Sequence, residues 1–333
     1  MRSIAAVALV LGVLVPAFGA TTPARAAARP GVTIVNLNLL HGAFCPPETD
    51  GCRAPDRVAL LMRQLEAAGC PDIVGLQEIN QNLSNLLFAA RKHVCSGDYR
   101  LAFPKRVRNN DTEQILTTLP VRGTKVIKLV GGFRGASRVT LGSPVGPLVV
   151  VVTHQDGDPE TPSSTGCKIC KPPCSVDRSI FDCQTDAAAA LADETGGPKA
   201  IRVLMGDFNV TSASARYRHL IDAGWTDSFL AAGNAECDPT TGTNCTSGRE
   251  DKSLEALQDP TTRESERIDF IFVKPHPGCD LAFDRAASTG TGSPGTGLFA
   301  SAPATNGPGG LAWTSDHTGV AAVLTCNAKG SAP

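Results

Sequence analysis

Six short apolar runs in this chain each begin or end on a polar side chain able to do chemistry, and that recurrence constrains the fold more than any other feature. Val32-Thr33-Ile34-Val35-Asn36-Leu37-Asn38 closes on Asn38, and Asp72-Ile73-Val74-Gly75-Leu76-Gln77-Glu78 closes on Glu78. Leu148 to Val152 runs into Thr153-His154, and Ile201 to Met205 runs into Gly206-Asp207-Phe208-Asn209. Asp269 lies at the head of Phe270-Ile271-Phe272-Val273, and Ser315-Asp316-His317 introduces Thr318 to Thr325. Runs of this length, bounded by turn residues, read as buried strands. Side-chain alternation then puts Asp207 and Asn209 on one side of their strand and Phe208 on the other. A single polar residue at such a place is commonly a turn or cap residue. Six such coincidences point instead to strand ends that converge on one ligand site.

The residue types fit one chemistry. Several carboxylates can hold a hard divalent cation through oxygen, while histidines and asparagines can hydrogen-bond a phosphate and move protons. Between the runs the pattern turns helical. Val58, Leu61, Met62 and Leu65 share one face of a helix over 55–68, and further helices are expected at 80–93, 184–194 and 212–223. Strand, amphipathic helix, strand predicts a parallel crossover unit. Four β-rich runs follow at 113–118, 124–130, 137–141 and 147–154. No linker separates self-sufficient halves, so residues 29–333 read as one domain whose two similar halves each supply a sheet. Segment 155–183 reads as a cysteine-rich surface insertion, 234–265 as a long loop, and the Gly/Ser/Thr/Pro/Ala stretch 285–312 as a mobile loop able to act as a lid.

Residues 1–28 read as a secretory signal: Arg2, an apolar stretch from Ile4 to Val15, Pro16, then the small-x-small Ala24-Arg25-Ala26. The apolar stretch is short of the ~20 residues a membrane span needs, and no later segment is apolar enough, so a secreted, soluble monomer is expected. Net charge is −1, and removal of Arg2 and Arg25 makes it −3, which excludes a global basic field for nucleic acid. Twelve cysteines, none in the leader, fit an oxidising compartment and disulfides. Cys45/Cys52 and Cys237/Cys245 each bracket a polar loop. Cys167, Cys170, Cys174 and Cys183 read as disulfide partners, with a structural zinc site the weaker alternative. The remaining four are paired Cys70–Cys95 and Cys279–Cys326.

Taken in order, Asn38-Leu39-Leu40-His41-Gly42, Asp72 to Glu78, Val152-Thr153-His154, Gly206-Asp207-Phe208-Asn209, Ile268-Asp269-Phe270-Ile271 and Ser315-Asp316-His317 give the chain a close resemblance over 32–326 to the endonuclease/exonuclease/phosphatase superfamily. That superfamily includes pancreatic-type deoxyribonucleases, apurinic-site exonucleases, neutral sphingomyelinases and inositol-polyphosphate phosphatases. The resemblance implies an α/β (α+β) four-layer αββα sandwich, two face-to-face mixed β-sheets flanked by helices. It implies Glu78 as principal Mg²⁺ ligand, with Asn38 and Asp316 close to the ion and Mn²⁺ or Ca²⁺ as alternatives. Asp207 and Asn209 would position or deprotonate the attacking water and hold the phosphate. His317, oriented by Asp269, would bind the scissile phosphate, and His154 would contact it from the leaving-group side. Arg134 lies about where members carry a phosphate-contacting arginine, and reads equally as a hairpin surface charge. His41 is expected beside the metal ligands.

A phosphodiesterase acting on nucleic acid, a deoxyribonuclease first, is the substrate reading, with Lys105, Arg106, Arg108, Lys168, Lys171 and Arg178 as a local basic rim. The runner-up is a phospholipid phosphodiesterase of the sphingomyelinase type, which the 5% aromatic content disfavours. A soluble phosphomonoesterase and a catalytically inactive binding or toxin subunit complete the alternatives.

Overall fold

A computed structural model describes residues 31–103, 111–131, 134–157, 179–249, 253–285 and 295–328. The leader, most of the insertion and all six basic-rim residues lie outside them. In chain order the elements are β1 (Val32–Asn38), α1 (Asp50–Ala67), β2 (Ile73–Gln77), α2 (Gln81–Ala90), β3 (Arg100–Leu101), β4 (Gln114–Thr117), β5 (Val121–Lys128), β6 (Gly135–Leu141), β7 (Leu148–His154), α3 (Ile180–Asp193), β8 (Ile201–Asp207), α4 (Ala215–Asp222), β9 (Thr226–Asp227), α5 (Ser228–Ala231), α6 (Leu254–Gln258), β10 (Asp269–Lys274), β11 (Cys279–Phe283), β12 (Gly297–Phe299) and β13 (Gly319–Ala328).

The strands form two mixed sheets. One has the order β11-β13-β1-β2-β4-β3 with β12 also on β13, and the other β5-β6-β7-β8-β10-β9. The expected crossover is present, with β1 and β2 parallel around α1, and a second has β7 and β8 parallel around α3. The apolar runs alternate as a period of two requires. Ile34, Val150, Val152, Val203, Met205 and Ile271 point into one core shared by both sheets. Their neighbours Val35 and Val74 pack outward on Val58, Leu61 and Leu65 of α1 and Leu83 and Leu87 of α2. Val151, Leu204 and Phe270 pack outward on Ala188 and Leu191 of α3. The result is helix, sheet, sheet, helix. The sheets close tightly at Gly75, where a Cβ would come within 2.5 Å of the Met205 side chain.

Several expectations are corrected. The sheets do not follow the two halves of the chain: β13 returns from the C-terminus to pair antiparallel with β1, because a lone β1–β2 pair would leave an apolar edge open. The stretch 285–312 is not a loose loop over its described part. Gly297–Phe299 pairs with β13, and Leu311, Ala312 and Trp313 are buried against Leu40, Leu60 and Leu257. The short β11, for which no element was expected, is a strand on β13. The insertion ends earlier than 183, since Ser179 and Asp182 form a capping box that starts α3 at Ile180 and takes Cys183 into the helix. Disulfides join Cys45–Cys52, Cys70–Cys95, Cys237–Cys245 and Cys279–Cys326, the pairs expected. Cys183 is also disulfide-bonded, while Cys167, Cys170 and Cys174 lie outside the described residues.

Candidate active site

Sheet register brings the polar strand ends into one row. His154 at the end of β7 is opposite Asp207 at the end of β8, which in turn is opposite Asp269 at the head of β10. Gly206 makes this row possible: a Cβ there would fall 1.9 Å from the Thr153 carbonyl oxygen. The facing sheet ends at the same level with Asn38 opposite Gln77, so Glu78 projects just beyond. The two sheets are tied across the gap by Asn38, whose Nδ2 donates to Glu78 Oε1 (3.1 Å) and to Asp207 Oδ2 (3.0 Å). Ser315 Oγ donates to the Asn38 carbonyl at 2.7 Å and to Asp316 Oδ1 at 2.9 Å, which fixes the head of β13 beside them.

A cleft of about 320 Å³ opens here, and Glu78, Arg134, His154, Asp207, Asn209, Asp316 and His317 line it together with His41, Phe44, Ser247, Gly248, Arg249 and Ile268. Asn38 and Asp269 are buried immediately behind. All the site residues read from the sequence therefore meet in one place. Arg134 does so in another guise than a hairpin surface charge: its guanidinium is held by Asp111 and Asp156 and lies 2.7 Å from His154 Nδ1.

Asp207 is the hub. Its Oδ1 accepts the Asn209 backbone N–H at 2.9 Å, and its Oδ2 lies 3.5 Å from His154 Nε2 and 3.9 Å from His317 Nε2. Asn209 Nδ2 donates to the Gln155 carbonyl at 2.7 Å and lies 3.1 Å from His154 Nε2. Burial disfavours charge on both histidines, but carboxylates outweigh it. Asp207 and Asp111 raise His154 to about 9, and Asp269, Asp316 and Asp207 hold His317 well above its ordinary value. His317 Nδ1 is 2.8 Å from Asp269 Oδ2. Burial and then Asp207 push Asp269 up to about 6, with His317 opposing. The contact with Asp269 orients the His317 ring at the wall of the cleft. Two histidines, each with its pKa raised by neighbouring carboxylates, thus face the cleft from one side.

Glu78 is on the other side. Burial opposes its charge, yet His154, His41 and two hydrogen bonds keep its pKa below the ordinary value. The His41 backbone N–H donates to Oε2 at 2.8 Å. Ligand atoms of Asp207, Asp269 and His317 lie within 4.8 Å of one another, but His317 Nδ1 and Asp269 Oδ2 are already engaged with each other at 2.8 Å. Glu78 and Asp316 fit a hard divalent cation better: they are oxygen donors on one wall, and the repulsion among four neighbouring carboxylates is relieved by a cation. Asn38 turns its amide nitrogen to the carboxylates and its oxygen to the Leu40 N–H, so it orients Glu78 and Asp207. A second cluster, His276 with Cys279 and Cys326, has its sulfurs in a disulfide.

The sequence reading missed Asp111, which accepts from His154 and Arg134 and is held at about 2 against burial by them. Asp111 lies three residues ahead of β4 and outside the motifs, so the strand-end signal that marked Asp269, the first residue of β10, did not mark it. Thr246, whose Oγ1 accepts the Asp269 N–H at 3.2 Å, had no such signal.

The family model for the endonuclease/exonuclease/phosphatase family matches residues 35–317. The chain belongs to that family. Its members hydrolyse phosphoesters, most with a divalent metal, and this chain is a phosphoesterase of the family. No curated protein matches the sequence. Among solved structures the fold is similar to D. rerio TDP2 complexed with a single-strand DNA product (16% identity, TM-score 0.60, 89% of this chain and 99% of that one). It is also similar to a Bacteroides thetaiotaomicron mannosyl-6-phosphatase (16%, 0.60, 88% and 99%). A Bacteroides vulgatus endonuclease/exonuclease/phosphatase is comparable (18%, 0.59, 89% and 99%). At these identities the likeness carries the fold alone.

Proposed function

We propose that the protein is an exported phosphodiesterase that cleaves DNA, with Mg²⁺ as its ion. The observation that carries the reading is Asp207, placed between a carboxylate wall and two histidine rings in one open cleft. Glu78 and Asp316 would hold the ion, which when bound supplies Lewis-acid stabilisation of the phosphate oxygens. Asp207 Oδ2 takes the proton of an attacking water that Asn209 helps to hold. His317, kept charged and oriented by Asp269, donates Nε2–H to a non-bridging oxygen, where negative charge develops. His154 donates on the leaving-group side, and Arg134 with Asp111 fixes its ring.

Three observations bear on the substrate. The similar TDP2 structure holds a single-strand DNA product. Large exposed apolar side chains among the described residues are few, namely Phe44, Phe88 and Ile221, too scattered for a surface that works on a lipid bilayer. No helix among them is long and apolar enough to cross a membrane. Export is supported by the disulfides, which persist in oxidising compartments. A sugar-phosphate monoesterase is the second reading, because the mannosyl-6-phosphatase is as similar in fold as the DNA-bound protein.

The test is purified protein with Mg²⁺, with and without EDTA, against plasmid and single-stranded DNA, RNA, sphingomyelin, mannose 6-phosphate and p-nitrophenyl phosphate. EDTA-sensitive cleavage of DNA is expected. Release of phosphate from monoesters with DNA left intact would replace the nuclease reading.

A further inference from the structure

Phe44 is 65% exposed, the most exposed large apolar side chain among the described residues, and it lines the mouth of the catalytic cleft. Exposed single apolar residues are ordinary, so position and rigidity have to distinguish this one. The loop that carries it cannot fold the ring away. Its neighbour Cys45 is cross-linked to Cys52, and Leu40, Cys45 and Cys52 are buried in a small core with Leu60, Leu257 and Trp313. The Ala43 N–H donates to His41 Nδ1 at 2.9 Å, and the His41 N–H donates to Glu78. The underside of the loop is therefore anchored, and Phe44 is held up at the rim.

The other exposed phenylalanine differs. Phe88 lies far from the cleft in α2 and is capped by the Arg91 guanidinium 4.0 Å above its ring. Among the described residues the ring contact of Phe44 is with His41, edge to face at 5.3 Å and 60°, and its 65% exposure leaves aromatic surface to the solvent of the cleft. His41 Nε2 is in turn 3.6 Å from Glu78 Oε2. One imidazole thus separates Phe44 from the carboxylate wall, much as one sugar separates a nucleobase from its phosphate.

We infer that Phe44 is a specificity-determining stacking platform for a nucleobase flanking the scissile phosphate. The inference rests on the nuclease reading above and deepens it. A rigid exposed ring can stack on an unpaired base of any sequence, and a ring already fixed loses little entropy on binding. Phe44 makes no contact with reacting atoms, so its effect belongs in KM.

The experiment compares wild type with Phe44→Ala, Phe44→Leu and Phe44→Trp, with Mg²⁺, on two single-stranded oligodeoxynucleotides. One carries all its bases, and the other is abasic throughout. Phe44→Ala and Phe44→Leu are expected to raise KM on the first about tenfold, the low end for losing one stacked base, with kcat unchanged. Phe44→Trp should restore KM, and on the abasic strand the variants should match wild type. A folding defect would raise KM or lower kcat on both strands alike, and that outcome, or an unchanged KM on the base-bearing strand, overturns the stacking role while the nuclease reading stands. Wild-type protein that cleaves neither strand overturns both.

Discussion

Glu78 and Asn209 hold φ at +60° and +51°, left-handed backbone that an ordinary side chain occupies at a cost of about 1–3 kcal/mol. Surrounding hydrogen bonds impose it, and both residues serve the cleft. Glu78→Ala should lower kcat on a phosphodiester by at least about 10²-fold, because the carboxylate wall loses its central donor. His317→Ala should cost about 10²–10⁴, the usual worth of a positioned proton donor. Circular dichroism and melting should show both variants folded, and either one keeping wild-type turnover would contradict these roles. Glu113 makes a separate prediction. Burial, then Asp111, pushes its carboxyl up to about 8, against an ordinary value of 4.5. Between those pH values the unfolded chain gives up a proton that the native protein keeps, so stability falls as pH rises. Glu113→Gln imitates the protonated form. It should melt with wild type near pH 4.5 and above it at pH 8, as thermal denaturation across pH would show.

The segment between β1 and α1 depends on one buried guanidinium. Arg57 Nε donates to the Cys52 carbonyl at 3.0 Å, its terminal nitrogens donate to Leu40 and Gly51 at 2.9 and 3.0 Å, and a further bond reaches Leu39. Burial lowers its pKa to about 10, with Asp316 and Glu78 opposing, so it stays charged. Arg57→Met fills the same space but strands these carbonyls, each worth about 1–3 kcal/mol when left buried without a donor. The variant should lose at least about 3 kcal/mol in urea denaturation, and its demand for Mg²⁺ should rise because the His41 amide no longer steadies Glu78. The Cys70–Cys95 bridge closes a span of 25 residues across α2. Replacing both cysteines with serine should cost about 2–4 kcal/mol with turnover kept, since the bridge lies away from the cleft.

For the molecule as a whole, a cation that binds only the native state adds stability as RT ln(1 + [L]/Kd), about 2.7 kcal/mol at a hundredfold excess over Kd. Mg²⁺ should therefore raise the melting temperature of wild type, EDTA should reverse the rise, and Glu78→Ala should show none. Most strands and helices of this architecture were legible in the sequence because burial writes itself locally, as the unbroken apolar run Leu148–Val152 and a period near 3.6 in Val58–Leu65. The nine site residues were legible because each ends or adjoins such a run, or sits in a motif of the family. Asp111 and Phe44 escaped because neither belongs to a motif and their importance comes from what the fold sets beside them. The sheet partition escaped because hydrogen-bonding between β13 and β1, nearly three hundred residues apart, leaves no trace in either strand's composition. By itself the sequence determined the apolar runs, their polar termini and the residue chemistry, since these depend on neighbours along the chain. Only the tertiary structure decided that Asp207 would face Glu78 through Asn38, that carboxylates would raise the pKa of His154 and His317, and that Phe44 would stand open, because titration and exposure are set by atoms that sequence places far away.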